Sequence, residues 1–265
     1  MESTGPIGIF DSGVGGLTVV RAVHERLPHE SVLYLGDTAR VPYGTKSSDV
    51  VQRYALKRAD FLRNQGAKAI VIACNTASAV SVEAIRNTFR IPVLGVIVPG
   101  AKAACTQSTT GKIGVIGTQG TIESGSYQRA ITAILPNAEV VAKACPLLVP
   151  LAEEGLLHHR ATELLAKEYL EPLIAEGIDT LVLGCTHYPL LQPLLEEIAG
   201  ESITVINSAA AVATSIEALL QENKLVSTTE SHTDKFFSTD TATRFKAVGE
   251  SFLGNRIGDV EVVDL

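Results

Sequence analysis

Short β-branched apolar runs alternate with amphipathic segments of helical length along almost the whole chain, a pattern that predicts an α/β fold of mainly parallel sheet flanked by helices. The expected strands are Ile7–Phe10, Val32–Leu35, Ala69–Ala73, Val93–Val96, Ile113–Ile116, Glu139–Ala142, Thr180–Leu183, Thr204–Ile206 and Lys235–Phe237. Between them, Ser48–Asn64, Ser78–Thr88, Ser124–Ile134, Arg160–Ala175 and Ala209–Glu222 carry apolar residues at three- and four-residue spacing and are the expected helices. The pattern also repeats. Ile7-Gly8-Ile9-Phe10-Asp11-Ser12-Gly13 resembles Ile113-Gly114-Val115-Ile116-Gly117-Thr118-Gln119, 106 positions on, and Ala69–Thr76 pairs with Thr180–His187, 111 positions on. Two pseudo-symmetric halves follow, each with an apolar run ending in a cysteine. Pro99-Gly100 and Asn207-Ser208 are the expected crossing points, giving a discontinuous first domain of residues 1–97 plus 208–265 and a second of 98–207, with the active site in the cleft between them. The alternative is one continuous sheet, which would be at the upper end of usual size.

At 265 residues, 46% hydrophobic and 19% charged, the chain has ordinary globular composition and can bury a sizeable core. Its net charge is −7 and its 22 Lys and Arg residues are scattered, which disfavours nucleic acid or another polyanion as partner. The opening Met1-Glu2-Ser3-Thr4-Gly5-Pro6 has neither a basic nor an apolar leader region, and no stretch approaches the roughly 20 apolar residues of a membrane span. A cytoplasmic protein with no membrane association is expected. Cys74, Cys105, Cys145 and Cys185 stand far apart with no C-x-x-C pair and no His at zinc-ligand spacing, so neither a disulfide framework nor a structural metal is expected.

In open parallel sheets, ligands gather at the carboxyl ends of strands, and the polar motifs lie at such ends. Asp11-Ser12-Gly13-Val14-Gly15-Gly16 follows the first strand, Gly36-Asp37 and Val41-Pro42-Tyr43-Gly44 the second, Asn75-Thr76 the third, and Thr186-His187 its counterpart in the second half. The glycine-rich stretch matches neither G-x-G-x-x-G nor G-x-x-x-x-G-K-[ST], and Asp11 would repel a phosphate, leaving a carboxylate-binding role or a tight turn. Cys74 and Cys185 each end an apolar run directly and are followed by hydrogen-bonding residues, whereas Cys105 and Cys145 are not. Side chains two apart in extended chain share a face, which places Thr76 with Cys74 and His187 with Cys185 if the extension persists past each cysteine. An adjacent imidazole or helix N-terminus lowers a thiol from its free pKa of about 8.5. One reactive cysteine beside a histidine suggests a hydrolase or transferase nucleophile. Two, one per half, suit a different chemistry, because inversion at carbon needs a base on one face and an acid on the other.

Together, Asp11–Gly16, Pro42-Tyr43-Gly44, Ala73-Cys74-Asn75-Thr76-Ala77 and Gly184-Cys185-Thr186-His187-Tyr188-Pro189 resemble the motifs of the glutamate racemases, and the resemblance covers nearly the whole chain. It implies interconversion of L- and D-glutamate without PLP, metal or other cofactor, supplying D-glutamate for peptidoglycan. It implies Cys74 and Cys185 as paired acid and base, Asp11 assisting Cys74, and His187 assisting Cys185. Asp11, Ser12, Tyr43, Gly44, Asn75, Thr76, Thr186 and His187 correspond to the family's substrate-binding positions, and Glu153 to a further acidic position near the histidine, though a solvated helix end accounts for Glu153 equally well. Donors such as these can hold a dicarboxylate without an arginine. The resemblance also implies a homodimer and, because only six residues precede Ile7, activity without the peptidoglycan-precursor activator that some relatives need. Competing expectations are a racemase of aspartate or another amino acid, and a binding module that holds a dicarboxylate without exchanging its α-proton.

Overall fold

The computed structural model describes residues 5–227 and 233–265; residues 1–4, at the start of the stretch expected to lack a leader, lie outside the described residues. Ten strands are found among them: β1 (Ile7–Asp11), β2 (Val32–Gly36), β3 (Ala69–Ile72), β4 (Val93–Gly95), β5 (Lys112–Gly117), β6 (Glu139–Ala144), β7 (Thr180–Gly184), β8 (Thr204–Ile206), β9 (Lys235–Ser238) and β10 (Val260–Val262). The helices are α1 (Leu17–Arg26), α2 (Ser48–Asn64), α3 (Asn75–Phe89), α4 (Ile97–Gln107), α5 (Gln119–Glu123), α6 (Ser126–Ile134), α7 (Leu148–Glu153), α8 (Arg160–Ala175), α9 (Gln192–Ala199), α10 (Ser208–Glu222) and α11 (Ala242–Leu253).

The strands form two sheets, not one, in the orders β10-β9-β2-β1-β3-β4 and β6-β5-β7-β8, and every pairing is parallel. The order β2-β1-β3-β4 recurs as β6-β5-β7-β8. Register recurs with it: Ile7 lies opposite Ala69 and Ile113 opposite Thr180, the same residues that the sequence repeat aligns. Every residue of β1, β2, β3 and β7 is buried because helices cover both faces of each sheet, which explains their unbroken apolar runs. One face of the first sheet packs on α1, α10 and α11, and the other on α2 and α3. The second sheet packs α8 and α9 on one side and α4 and α6 on the other. At its edge, β6 carries exposed Glu139 and Lys143.

All nine expected strands occur, with ends shifted by a residue or two, while β10 was not expected. Pro99-Gly100, the expected crossing point, lies in the first turn of α4, where a proline has no intrahelical N–H bond to lose. Two helical expectations need correction. The helix expected from Ser124 begins at Ser126, as α6, after Gly125, whose left-handed φ of +63° separates it from the short α5. The helix expected from Ser78 begins at Asn75, directly after Cys74.

A buried ion pair ties the first sheet to the loop that follows β2. Arg58 of α2, fully buried, places Nη2 2.6 Å from Asp37 Oδ1. Asp37 also accepts the hydroxyls of Tyr43 at 2.6 Å and Thr239 at 2.8 Å, and Arg40 Nη1 at 2.9 Å. Burial alone would raise the Asp37 carboxyl, but the hydrogen bonds from Arg58 and Tyr43 and the Arg58 charge hold it below its ordinary value. The stability it contributes is therefore present above the unfolded carboxyl pKa and lost as pH falls through the lower folded value. Arg58→Met should destabilise the fold by about 3 kcal/mol, the low end for breaking a buried pair, since Asp37 loses its buried cation but keeps Arg40, Tyr43 and Thr239. Urea unfolding at pH 7 measures this, and an unchanged midpoint would show that the ion pair contributes nothing.

Candidate active site

The carboxyl ends of β1 and β3 face those of β5 and β7 across a cavity of about 360 Å³. Ser12, Tyr43, Gly44, Cys74, Asn75 and Thr76 line it from the first sheet's side, and Thr118, Glu153, Cys185, Thr186 and His187 from the other. Nearly all the residues singled out in the sequence thus converge. Asp11 lies just behind the wall, fully buried, and Cys105 and Cys145 do not reach it.

Cys74 is the last extended residue after β3 (φ −64°, ψ 120°) and the N-cap of α3. The extension ends there, so Thr76 does not share its face by strand alternation; the turn into α3 brings the Ala77 N–H to the sulfur instead. Burial and the neighbouring Asp11 push the Cys74 thiol up to about 12, opposed by the Ala77 N–H and the Ser12 hydroxyl. Asp11 ends β1 and accepts the Gly13 N–H at 2.9 Å. Burial raises its carboxyl, against the pull of His187 and the N–H groups of Gly13, Gly16 and Ser12. Behind it, the buried Tyr34 hydroxyl donates to Gly13 O at 2.9 Å and keeps the turn in place.

The other side is built differently. Cys185 Sγ stands 3.8 Å from His187 Nδ1, and His187 Nε2 stands 2.9 Å from Glu153 Oε1, forming a thiol–imidazole–carboxylate chain. His187 adopts helical angles (φ −83°, ψ −29°), so a tight turn, and not an extended strand, brings the imidazole to the sulfur. Phe252 packs edge-on against the ring, with centroids 5.2 Å apart. Burial disfavours an imidazolium here, but Cys185 and Glu153 outweigh it and raise His187 from 6.5 to about 10. Glu153 is correspondingly lowered, first by its hydrogen bond to His187. Glu153 therefore has a partner that a merely solvated helix end would lack.

The halves touch where their side chains are smallest. A Cβ on Gly15 would lie 2.4 Å from Thr186 Oγ1 and 2.6 Å from His187 Nδ1, and one on Gly44 would lie 2.7 Å from Thr118 Cβ. The glycine-rich stretch is thus a close-approach turn. Polar contacts run beside these. Thr76 of α3 joins Thr118 and Thr121 in a triangle of hydroxyls with edges of 2.8, 3.2 and 2.9 Å. Thr186 Oγ1 donates to Asp11 Oδ1 at 3.4 Å, and the Tyr127 hydroxyl donates to Asn75 Oδ1 at 2.8 Å. Thr118, Thr121, Tyr127 and Tyr34 were not singled out in the sequence. The signal for Thr118 was present, since the internal repeat sets it opposite Ser12; the other three are brought in by tertiary packing alone. Among the described residues, no group of three or more His, Cys, Asp or Glu side chains is placed to hold a metal ion, and no helix is long and apolar enough to cross a membrane.

A cleft between two repeated parallel sheets, with a buried thiol at each central strand's end, is the architecture of an amino-acid racemase, and comparison with known proteins gives the same answer. The chain belongs to the Asp/Glu/Hydantoin racemase family, which matches residues 17–216. Within that family its similarity is to the glutamate racemases: that of Syntrophus aciditrophicus is 50% identical over 98% of this chain and 97% of its own. The structure of a glutamate racemase isoform from Bacillus anthracis superposes with a TM-score of 0.95 at 41% identity, covering 98% of both chains. That of the Francisella tularensis glutamate racemase, in complex with D-glutamate, superposes with a TM-score of 0.93 at 40% identity, covering 99% of this chain and 98% of the other.

Two tests follow from the geometry. Glu153→Gln removes an anion that favours the imidazolium, so the His187 titration midpoint should move down from about 10; NMR titration of the ring measures it, and an unmoved midpoint would remove Glu153 from the chain. By linkage, the stability His187 contributes is full below its unfolded pKa of about 6.5 and fades as pH rises through the folded value. Gly15→Ala should displace Thr186 and His187 and reduce racemase turnover by about 10² while the circular dichroism spectrum is retained, because such small misplacements are costly. Unimpaired turnover would show that the close approach at Gly15 is dispensable.

Proposed function

We propose that the protein is a glutamate racemase, interconverting L- and D-glutamate by a two-base reaction that needs no PLP or other cofactor. The observation that carries this reading is the pair of buried thiols, Cys74 and Cys185, on the wall of one cavity at equivalent strand ends of two repeated sheets. One thiolate takes the α-proton from one face of glutamate, and the opposite thiol returns a proton to the other face of the planar carbanion. Reversing the direction exchanges the roles, so Cys74 handles the proton of one enantiomer and Cys185 that of the other.

The assisting groups differ in charge. An imidazolium 3.8 Å from Cys185, itself held by Glu153, stabilises negative charge on that sulfur. Asp11 beside Cys74 disfavours charge there and acts as the acceptor that draws the proton from the Cys74 thiol when that residue serves as base. Ser12, Tyr43, Gly44, Asn75, Thr76 and Thr186 hold the two carboxylates and the ammonium group, Tyr43 through its backbone N–H or an accepting oxygen because its hydroxyl proton goes to Asp37. Donors aimed at the α-carboxylate, where negative charge develops, act on the barrier directly, each typically contributing about 2.7–4 kcal/mol. The D-glutamate complex of the Francisella tularensis relative supports glutamate over aspartate.

The proposal extends to the setting of the enzyme: two domains, residues 1–97 plus 208–265 and residues 98–207, closing on the substrate; a homodimer; a cytoplasmic location; and supply of D-glutamate to peptidoglycan synthesis.

The reading is tested by following the circular dichroism of L-glutamate in deuterium oxide without added PLP or metal, with mass-spectrometric detection of α-deuterium and L-aspartate as control. Conversion with deuterium uptake on glutamate alone is expected. Cys74→Ser should lower racemisation by about 10²–10⁴-fold, as loss of one acid–base group does, while deuterium exchange through Cys185 persists on one enantiomer. Wild-type turnover in that variant, or ligand binding with no α-proton exchange in the native enzyme, would sink the mechanism.

A further inference from the structure

Asn75 opens α3 behind Cys74, and Tyr127 lies on α6 in the opposite half. The two side chains meet at 2.8 Å, with both residues at most 3% exposed. A buried phenol must donate its proton, and it has one donor hydrogen to place. Its ring is packed where side chains are missing: a Cβ on Gly184 would lie 3.1 Å from Cε2, and one on Gly100 would lie 3.2 Å from the hydroxyl. If the amide were turned over, Nδ2 would face the hydroxyl, and the phenol proton would lose the acceptor that Oδ1 provides. The hydroxyl therefore selects one of the two amide orientations.

The consequence falls on the other end of the amide. Asn75 Nδ2 is buried with no hydrogen-bond partner in the protein, although Asn75 lines the cavity. A buried donor without an acceptor is costly unless a ligand supplies one. Asn75 is also the first residue of a 15-residue helix, whose N-terminus favours an anionic group over a cationic one. We infer that Tyr127 is a positioning residue that locks the Asn75 amide with Nδ2 toward the cavity, committing Asn75 to donate to a substrate carboxylate and not to receive the substrate ammonium. The assignment rests on the racemase reading above and names which group of the amino acid Asn75 takes.

The test compares wild type, Tyr127→Phe, Asn75→Ala, the double variant and Asn75→Asp, using calorimetric Kd for D-glutamate and steady-state KM and kcat. Tyr127→Phe keeps the ring and should raise Kd and KM about tenfold, the scale of a weakened hydrogen bond to a charged group, with kcat changed by less than about twofold. In the Asn75→Ala background the same substitution should add nothing, because its effect passes through Asn75. Asn75→Asp would accept the Tyr127 proton and turn a second carboxylate oxygen on the substrate, so affinity should fall by about a hundredfold or more. An unchanged Kd in Tyr127→Phe, an equal loss with and without Asn75, or wild-type affinity in Asn75→Asp would overturn the assignment. Should Tyr127→Phe fail to fold, the Asn75→Asp result decides. Wild-type enzyme that neither binds nor turns over glutamate would overturn the racemase reading and this assignment together, whereas an active wild type with an indifferent Tyr127 would overturn this assignment alone.

Discussion

Everything at the site depends on the carboxyl ends of two parallel sheets facing each other. A parallel strand delivers its chain to the same edge of the sheet as its neighbours, and the switch in strand order between β1 and β3, repeated between β5 and β7, opens a crevice at that edge. Two such crevices placed mouth to mouth make one cavity walled from both sides. The approach this requires is closer than side chains permit, and glycines stand at the contacts: Gly15 against Thr186 and His187, Gly44 against Thr118. Symmetry of scaffold thus supplies opposed thiols, while the absence of a methyl group at two positions sets how near they come.

The scaffold is symmetric but its electrostatics are not. Cys74 sits beside a buried carboxylate and near the start of a helix, whereas Cys185 sits beside an imidazole backed by a second carboxylate. A thiol raised by burial and by Asp11 holds its proton, whereas the group beside Cys185, across the chamber, is a cationic imidazole. The two thiols thus meet neighbours of opposite charge, an asymmetry suited to a racemase, whose two faces play opposite proton-transfer roles in each turnover. A bound dicarboxylate amino acid brings both signs of charge and shifts this balance, which makes substrate part of the electrostatic system.

Much of this was legible in the amino-acid order, for reasons that the structure makes physical. Strands buried on both faces read as continuous apolar runs, so all nine expected strands occur, and the repeat that aligned Ile7 with Ile113 and Ala69 with Thr180 is a repeat of register. Cys74 and Cys185 stood out because each terminates such a run. Short or irregular elements were harder: α4 begins with a proline and a glycine in its first turn, and β10 is three partly exposed residues. Face-sharing failed at both cysteines because the chain turns immediately after each one, yet His187 still reaches its sulfur. Tyr127 and Arg58 carry no local mark at all, since their importance comes from partners distant in the chain, Asn75 and Asp37.

Those partners show how a chamber without an arginine in its wall gains directional binding. Hydroxyls and amides are ambiguous groups, each able to donate or accept, so lining a cavity with them does not by itself select an anion. Selection comes from what holds them on the far side. Asp37 takes the Tyr43 proton and leaves that hydroxyl an acceptor, Tyr127 occupies the Asn75 oxygen and leaves the amide a donor, and the Thr76–Thr118–Thr121 triangle pairs three hydroxyls with one another. Two of these three contacts cross between the halves, so Asn75 and Thr76 acquire their polarity only when both halves are in place. The polarity of the wall and the close approach of the halves therefore depend on the same contacts, in surroundings where each buried hydrogen bond counts for more than it would in water.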